Sequence, residues 1–167
     1  MVSFRKTVEQ FFVSFISVCN KQFDLTIVME NSAQVGEAQF DEIKDFAKQF
    51  VAAFDVREGG THVAVVSYGS RPVVDVRLNS YSGPVLNTRT ITDDIDEIAF
   101  RSVSPVSTSS ALTEVINTVY ADGNGARNGT NKVTDNFFFS LLKRFPCISV
   151  SVGGYTLLSK CPLSAGT

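Results

Sequence analysis

The sequence predicts a single α/β domain built around a mostly parallel β-sheet. Short, continuously apolar runs, typical of strands buried on both faces, alternate with segments whose apolar residues recur at helical spacing. The chain of 167 residues is 44% hydrophobic and 19% charged, which suits one globular domain with one core.

Four runs have the pattern of strands. Residues 24–29 are mostly apolar and lead into polar residues at 30–32, as in a buried parallel strand that delivers polar groups at its carboxyl end. Residues 62–68 predict a second buried strand, and the alternation over 72–78 predicts an antiparallel edge strand beside it. Residues 148–152 predict one more strand.

Three segments predict helices. Apolar residues recur on one face between Phe40 and Phe54. Thr90 and Asp93 have the spacing of a capping box at the start of a short helix that reaches Ile98. A Ser/Thr-rich turn precedes a third helix over 111–119, which the glycine-rich stretch 122–125 terminates.

The apolar run 137–142 fits either a strand or a helix by its period alone. A strand here, parallel to the one at 148–152, would need a crossover of about a dozen residues. Because only residues 143–147 are available, the run is predicted as a helix over about 135–144.

Charge and composition exclude several classes of function. Fifteen basic and seventeen acidic residues give a net charge of -2, so no electrostatic footprint for nucleic acid is present. No stretch after the amino terminus reaches the ~20 apolar residues of a membrane span. Residues 1–19 place Arg5 and Lys6 before an apolar run and predict a signal peptide; the alternative is an amphipathic helix packed on the domain.

The segment Asp24–Gly36 resembles the opening of von Willebrand factor A domains, in which a strand ends in Asp-x-Ser-x-Ser followed by Val-Gly or Ile-Gly. Residues 40–54, 61–70 and 76–81 are similar to the family's first helix, next strand and edge hairpin. The resemblance covers about residues 20–154, with residues 155–167 as a short tail. It implies a doubly wound, mostly parallel sheet with one antiparallel edge strand, and ligand binding at the carboxyl ends of the strands.

The resemblance also implies a metal-ion-dependent adhesion site, whose Mg²⁺ needs about six oxygen ligands. Its ligands would fall on these residues: Glu30, Ser32, Gln34, Thr108 and Asp135. The family's Asp and second Ser are replaced by Glu30 and Gln34. Its coordinating Thr falls on Val106, which has no side-chain oxygen, and Thr108 is included because it lies nearby in the sequence. The predicted site is therefore degenerate, with no cofactor or a weakly bound Mg²⁺ or Mn²⁺.

Residues 134–136 resemble the turn that follows the family's fourth strand, yet no apolar run precedes them. The sequence therefore predicts that much of the fourth strand, beside the first, is missing, together with the family's last strand and final helix. Two explanations remain open: a truncated or alternatively spliced product with a non-native tail, or a domain rearranged around the gap.

The function implied by the resemblance is a secreted module that binds an extracellular protein ligand, such as a matrix or cell-surface protein, and has no catalytic residues. Ligand contacts are predicted at Asn31, Ser32, Ser107 and Thr108. The alternatives are a divalent-cation-dependent adhesion domain and a hydrolase that uses Glu30 and Asp135 as a carboxylate pair.

The sequence Asn-Gly-Thr at 128–130 makes Asn128 an acceptor for N-glycosylation in a secreted chain.

Overall fold

The computed structural model describes residues 22–137, 149–152 and 155–158. The described strands are β1 (Phe23–Glu30), β2 (His62–Tyr68), β3 (Pro72–Val76), β4 (Asn131–Phe137), β5 (Ser149–Val152) and β6 (Tyr155–Leu158). The described helices are α1 (Glu37–Val51), α2 (Thr88–Glu97) and α3 (Thr108–Glu114), with a 3₁₀ turn at Gly83–Val85 and a π-helical continuation of α3 over Val115–Val119.

These strands form one sheet in the order β3-β2-β1-β4-β5-β6. Strand β1 lies at its centre, parallel to β2 on one side and to β4 on the other. Strand β3 is antiparallel to β2 at one edge, while β5 and β6 continue the sheet in antiparallel pairing beyond β4. The predicted α/β class, doubly wound with an antiparallel edge strand, is confirmed.

The core consists of two apolar layers, one on each face of the sheet. Because successive side chains of a strand point to opposite faces, Ile27 and Met29 pack in the layer that contains Phe40 of α1 and Ile91 of α2. Val28 instead packs in the layer formed with α3 and its continuation. Helices therefore cover both faces, as the buried character of β1 and β2 requires.

The prediction that the strand beside β1 is largely missing is wrong. All seven residues of β4 pair with β1, from Asn131 opposite Phe23 to Phe137 opposite Met29. Thr134 and Asp135 lie within this strand and not in a turn after it, and the helix predicted from about Asp135 is also wrong over residues 135–137.

The polar character of β4 is accommodated by specific hydrogen bonds. The Tyr120 hydroxyl donates to the Val133 carbonyl at 2.8 Å and lies 3.1 Å from Thr134 Oγ1. Burial raises the pKa of Tyr120, although its hydrogen bond to Thr134 acts in the opposite direction. The neutral hydroxyl of Tyr120 can therefore satisfy polar groups of β4. The strand itself has no apolar pattern from which it could have been predicted.

Helix α2 begins two residues before the predicted cap. The side chain of Asn87, not that of Thr90, is the N-cap, and it accepts a hydrogen bond from the Thr90 backbone N–H at 3.1 Å. Strand β6 was also not predicted, because residues 155–158 were assigned to the tail.

Several predictions lie outside the described residues. They are the signal peptide over 1–19, the remainder of the helix predicted to end near 144, and the tail beyond residue 158. Within the described part of the chain, no helix combines the length and apolar content needed to cross a bilayer.

Candidate functional site

Two loops meet where β1 and β2 end, and together they form what we call the carboxyl-end face: residues 31–35 and residues 105–109. Backbone hydrogen bonds hold both loops against neighbouring segments. The Ala33 N–H donates to the Val103 carbonyl at 3.1 Å, and the Ser107 N–H donates to the Gly69 carbonyl at 2.9 Å. The face is thus a fixed surface at the edge where doubly wound sheets bind ligands.

The Asn31 side chain links this face to the segment that follows α2. Its Nδ2 donates to the Ala99 carbonyl at 2.9 Å, and its Oδ1 accepts from the Arg101 N–H at 2.8 Å. The residue is 0% exposed. No atom of the Asn31 side chain reaches the surface, and the ligand contact expected there stays a prediction.

Ser32 is likewise fully buried, and the ligand contact expected there also stays a prediction. Its hydroxyl donates to Glu30 Oε1 at 2.7 Å, and its carbonyl accepts from the N–H groups of Val35 and Gly36 at 3.2 Å. These bonds close the turn after β1. The residues that this turn exposes are Ala33 and Gln34.

The other two predicted contacts, Ser107 and Thr108, are half-buried. Ser107 is the N-cap of α3 and accepts from the Ser110 N–H at 3.4 Å. The Thr108 hydroxyl donates to the Tyr68 hydroxyl at 3.4 Å, so it points towards the sheet. Both residues remain candidates for contact with a ligand, next to the exposed Ser109.

The residues predicted to hold a metal are only partly brought together. Glu30 and Ser32 are in direct contact, but Gln34 is exposed on the loop and Thr108 is bonded to Tyr68. Val106 at the family's threonine position is packed against an apolar cluster. No group of three or more His, Cys, Asp or Glu among the described residues could hold a metal ion. Mg²⁺ prefers near-octahedral oxygen coordination, and of the predicted donors only Glu30 and Ser32 are joined by a direct hydrogen bond among the described contacts.

Asp135 does not join Glu30. In the register of β1 and β4 it lies opposite Ile27, three residues before Glu30, which is about 10 Å along the strand. It is also buried within the sheet. The register therefore offsets along the sheet the two carboxylates that metal coordination or hydrolysis would bring together.

Gly69 is a residue of this site that sequence reasoning missed. A Cβ atom there would lie 2.1 Å from Val103 Cγ2 and 3.0 Å from the Asn31 carbonyl oxygen. The loops can therefore approach the end of β2 only because position 69 has no side chain. A glycine that directly follows a buried strand was the available sequence signal.

We expect Gly69→Ala to lower the free energy of unfolding by about 1–3 kcal/mol, the usual range for overpacking, in urea titrations. In a Val103→Ala background, which removes the clashing methyl group, the same substitution should cost much less. Gly59→Ala is the control, since its Cβ would meet only the end of the Arg57 side chain, at 3.2 Å. An equal cost of Gly69→Ala in both backgrounds would contradict this packing.

Asn128, the predicted glycosylation site, is exposed in the loop before β4, remote in sequence from both loops of the carboxyl-end face.

Comparison with known proteins identifies the same fold and family over most of the described chain. The von Willebrand factor type A domain family matches residues 24–134. The chain is 31% identical over 115 residues to von Willebrand factor A domain-containing protein 2 of Xenopus laevis, covering 68% of this chain and 14% of that protein. It is 29% identical over 115 residues to mouse vitrin, with 68% and 17% covered.

Mouse matrilin-3 is 26% identical over 117 residues, with 70% of this chain and 24% of that protein covered. The chain thus spans less than a third of the length of these relatives. Among solved structures, proximal thread matrix protein 1 from the mussel byssus superposes with a TM-score of 0.63 at 20% identity, over 70% of this chain and 30% of that one. A structure of the same protein with a zinc-occupied MIDAS motif gives a TM-score of 0.59 at 21% identity, over 68% and 28%.

Proposed function

Because the chain belongs to the von Willebrand factor type A domain family, we propose that it is an extracellular protein-binding module whose carboxyl-end face contacts a matrix or cell-surface protein without a metal ion. The observation that carries the proposal is the arrangement of that face. The side chains of Asn31 and Ser32 form internal hydrogen bonds. The residues that remain exposed on these loops are Ala33, Gln34 and Ser109.

A fixed surface favours binding because little conformational entropy is lost on association. The exposed residues are small or uncharged, so recognition would depend on shape and neutral hydrogen bonds, and not on a metal bridging to a ligand carboxylate.

The runner-up, cation-dependent adhesion, would need further oxygen ligands beside Glu30, and the positions of Val106 and Asp135 supply none. The hydrolase alternative loses its carboxylate pair for the same reason. An extracellular chain would also make Asn128 available for glycosylation.

Metal dependence is tested by thermal and urea unfolding of the full chain in EDTA and in millimolar Mg²⁺ or Mn²⁺. A ligand that binds only the folded state at a hundredfold excess over its Kd adds about 2.7 kcal/mol. We expect no such rise for the natural chain. A variant with Glu30→Asp, Gln34→Ser and Val106→Thr restores the family's residue types and is the matched comparison, expected to respond more strongly. A metal-dependent rise in the natural chain would contradict metal-independent binding.

Binding is tested by biolayer interferometry against immobilised fibrillar collagen, laminin and fibronectin, each in EDTA and in Mg²⁺. Binding to at least one of these should persist in EDTA. Gln34→Arg combined with Ser109→Arg should abolish it, whereas Gln49→Arg, on an exposed position of α1, should not. Equal binding by both variants would place the contact elsewhere, and loss of binding in EDTA would favour the cation-dependent alternative.

A further inference from the structure

A cleft of about 440 Å³ lies beside the edge strand β3, between that strand and the end of α2. Strand β3 contributes Val73 and Asp75 to its walls, the following turn contributes Tyr81, and the last turn of α2 contributes Asp94 and Glu97. Among the described residues, β3 pairs only with β2, so its outer edge has no strand beside it. The cleft therefore adjoins an open strand edge.

The charge of the cleft is mainly negative. Among the described residues, three carboxylates and one cation, Arg101, line it. The Arg101 Nη2 donates to the carbonyl oxygen of Ser67 at 2.9 Å and to its hydroxyl at 2.8 Å, so this guanidinium is held against β2. Arg101 can neutralise one of the three carboxylates, so the net charge of the cleft lining remains negative.

The acidic residues of α2 differ in whether they form ion pairs, and the difference follows the side of the helix on which they lie. Away from the cleft lining, Asp93 pairs with Arg89, and Asp96 pairs with Lys48 of α1 at 2.7 Å. Asp94 and Glu97 face the cleft, and neither forms an ion pair within the described part of the chain. Asp94 instead accepts a hydrogen bond from the Tyr81 hydroxyl at 3.1 Å, which raises the pKa of Tyr81 and fixes the orientation of its ring.

Asp75 is placed in the cleft by a β-bulge. Val76 is opposite Val65 and Val74 is opposite Val66, so Asp75 is the extra residue and has no partner across the strand pair. Its Oδ2 accepts from the Ser67 N–H at 2.8 Å, which fixes the direction of the carboxylate. Desolvation raises the pKa of Asp75 and outweighs the hydrogen bonds from Ser67 and the attraction of Arg101. A bound cation would relieve that cost.

We propose that this cleft binds an arginine side chain carried by an extended segment of a partner protein that lies along the outer edge of β3. A guanidinium is planar, presents a fork of donors to carboxylates and stacks on aromatic rings, which matches Asp75, Glu97 and Tyr81. Val73, 40% exposed beside the cleft, offers an apolar contact to the next side chain of the segment. The open strand edge offers backbone hydrogen bonds to the segment itself.

The probes are N-acetyl-arginine amide and N-acetyl-citrulline amide, which share a shape but differ in charge. Titrated into the ¹⁵N-labelled full chain, the arginine compound should shift the amide signals of Asp75, Tyr81 and Glu97 with a millimolar Kd. Citrulline amide should bind at least tenfold more weakly. The peptide acetyl-Thr-Arg-Val-Thr-amide should bind more tightly than the single residue and should also shift the Val73 amide.

The variant Asp75→Asn with Glu97→Gln should weaken arginine binding at least tenfold. Its asparagine can still accept from the Ser67 N–H, and Asp94→Asn alone is a second, milder test. The control is Asp93→Asn with Asp96→Asn, which makes the same charge change on α2 away from the cleft lining. Equal binding of citrulline, equal loss in the control, or no shift at these amides would overturn the proposal. None of these results requires Gln34 or Ser109, the residues that test binding at the carboxyl-end face.

Discussion

Replacement of Arg127 by Met is expected to lower the free energy of unfolding by about 3–5 kcal/mol, the usual cost of removing one partner of a buried ion pair. Arg127 Nε lies 2.7 Å from Asp24 Oδ1, and Asp24 is 0% exposed. The same guanidinium donates to the Gly60 carbonyl at 3.0 Å and to the Phe23 carbonyl. Without it, the carboxylate at the start of β1 stays buried and, within the described part of the chain, keeps only the backbone N–H of residue 127 as a donor. Urea unfolding of the full chain measures the loss.

The control is Arg57→Met, because Arg57 pairs with Asp55 at the surface, where the two side chains are 62% and 67% exposed. That substitution should cost less than about 1 kcal/mol. Replacing both Asp24 and Arg127 with leucine should cost clearly less than Arg127→Met, since no unpaired charge then remains buried. If the double variant were the less stable of the two, the hydrogen bonds to the backbone, and not the buried carboxylate, would account for the effect.

Apolar periodicity was enough to predict the elements that bury one continuous face. Strand β2 was predicted with the bounds observed, His62–Tyr68, and the buried face of α1 contains Phe40, Ile43 and Phe50 as expected. In these segments the hydrophobic contacts that stabilise the element are made by the residues that form the pattern. Local pattern and tertiary structure therefore agree.

Strand β4 was missed because its sequence contains no continuous apolar run, although Val133 packs in the core. Its sequence Asn-Lys-Val-Thr-Asp-Asn-Phe contains one aliphatic residue, Val133, and its pairing with β1 supplies backbone hydrogen bonds irrespective of side chain. Tyr120 and Arg127, which lie before the strand in sequence, satisfy polar groups on and around it. A strand whose polar groups are satisfied by side chains from other segments gives no signal in its own residues.

The resemblance to the family was enough to predict where the candidate site lies, but it did not predict the roles of the residues there. The turn after β1 was correctly placed at the carboxyl end of the sheet, whereas Asn31 and Ser32 proved to be buried. The partners of Asn31 lie 68 and 70 residues away in sequence, at Ala99 and Arg101. Such contacts depend on how α2 and the segment after it pack, which the turn's own sequence does not encode.

Asn31→Ala should therefore destabilise the domain through two groups at once. The Ala99 carbonyl and the Arg101 N–H would each lose their side-chain partner, and a buried group left unsatisfied costs about 1–3 kcal/mol. Urea unfolding gives the total, and hydrogen exchange at the Arg101 amide, which should become faster, locates the loss. Asn79→Ala is the control, because Asn79 is exposed and its bond to the Gly123 carbonyl is 3.4 Å long.

Asn31→Asp separates the two bonds. An aspartate can still accept from the Arg101 N–H but cannot donate to the Ala99 carbonyl, so exchange at Arg101 should remain slow while stability falls. If Asn31→Ala lowered the free energy of unfolding no more than Asn79→Ala and left the Arg101 amide protected from exchange, the hydrogen bonds of Asn31 would not stabilise this face. If it also reduced binding to a matrix protein without loss of stability, Asn31 would be a contact residue, and the exposed surface of the carboxyl-end face would have to include it.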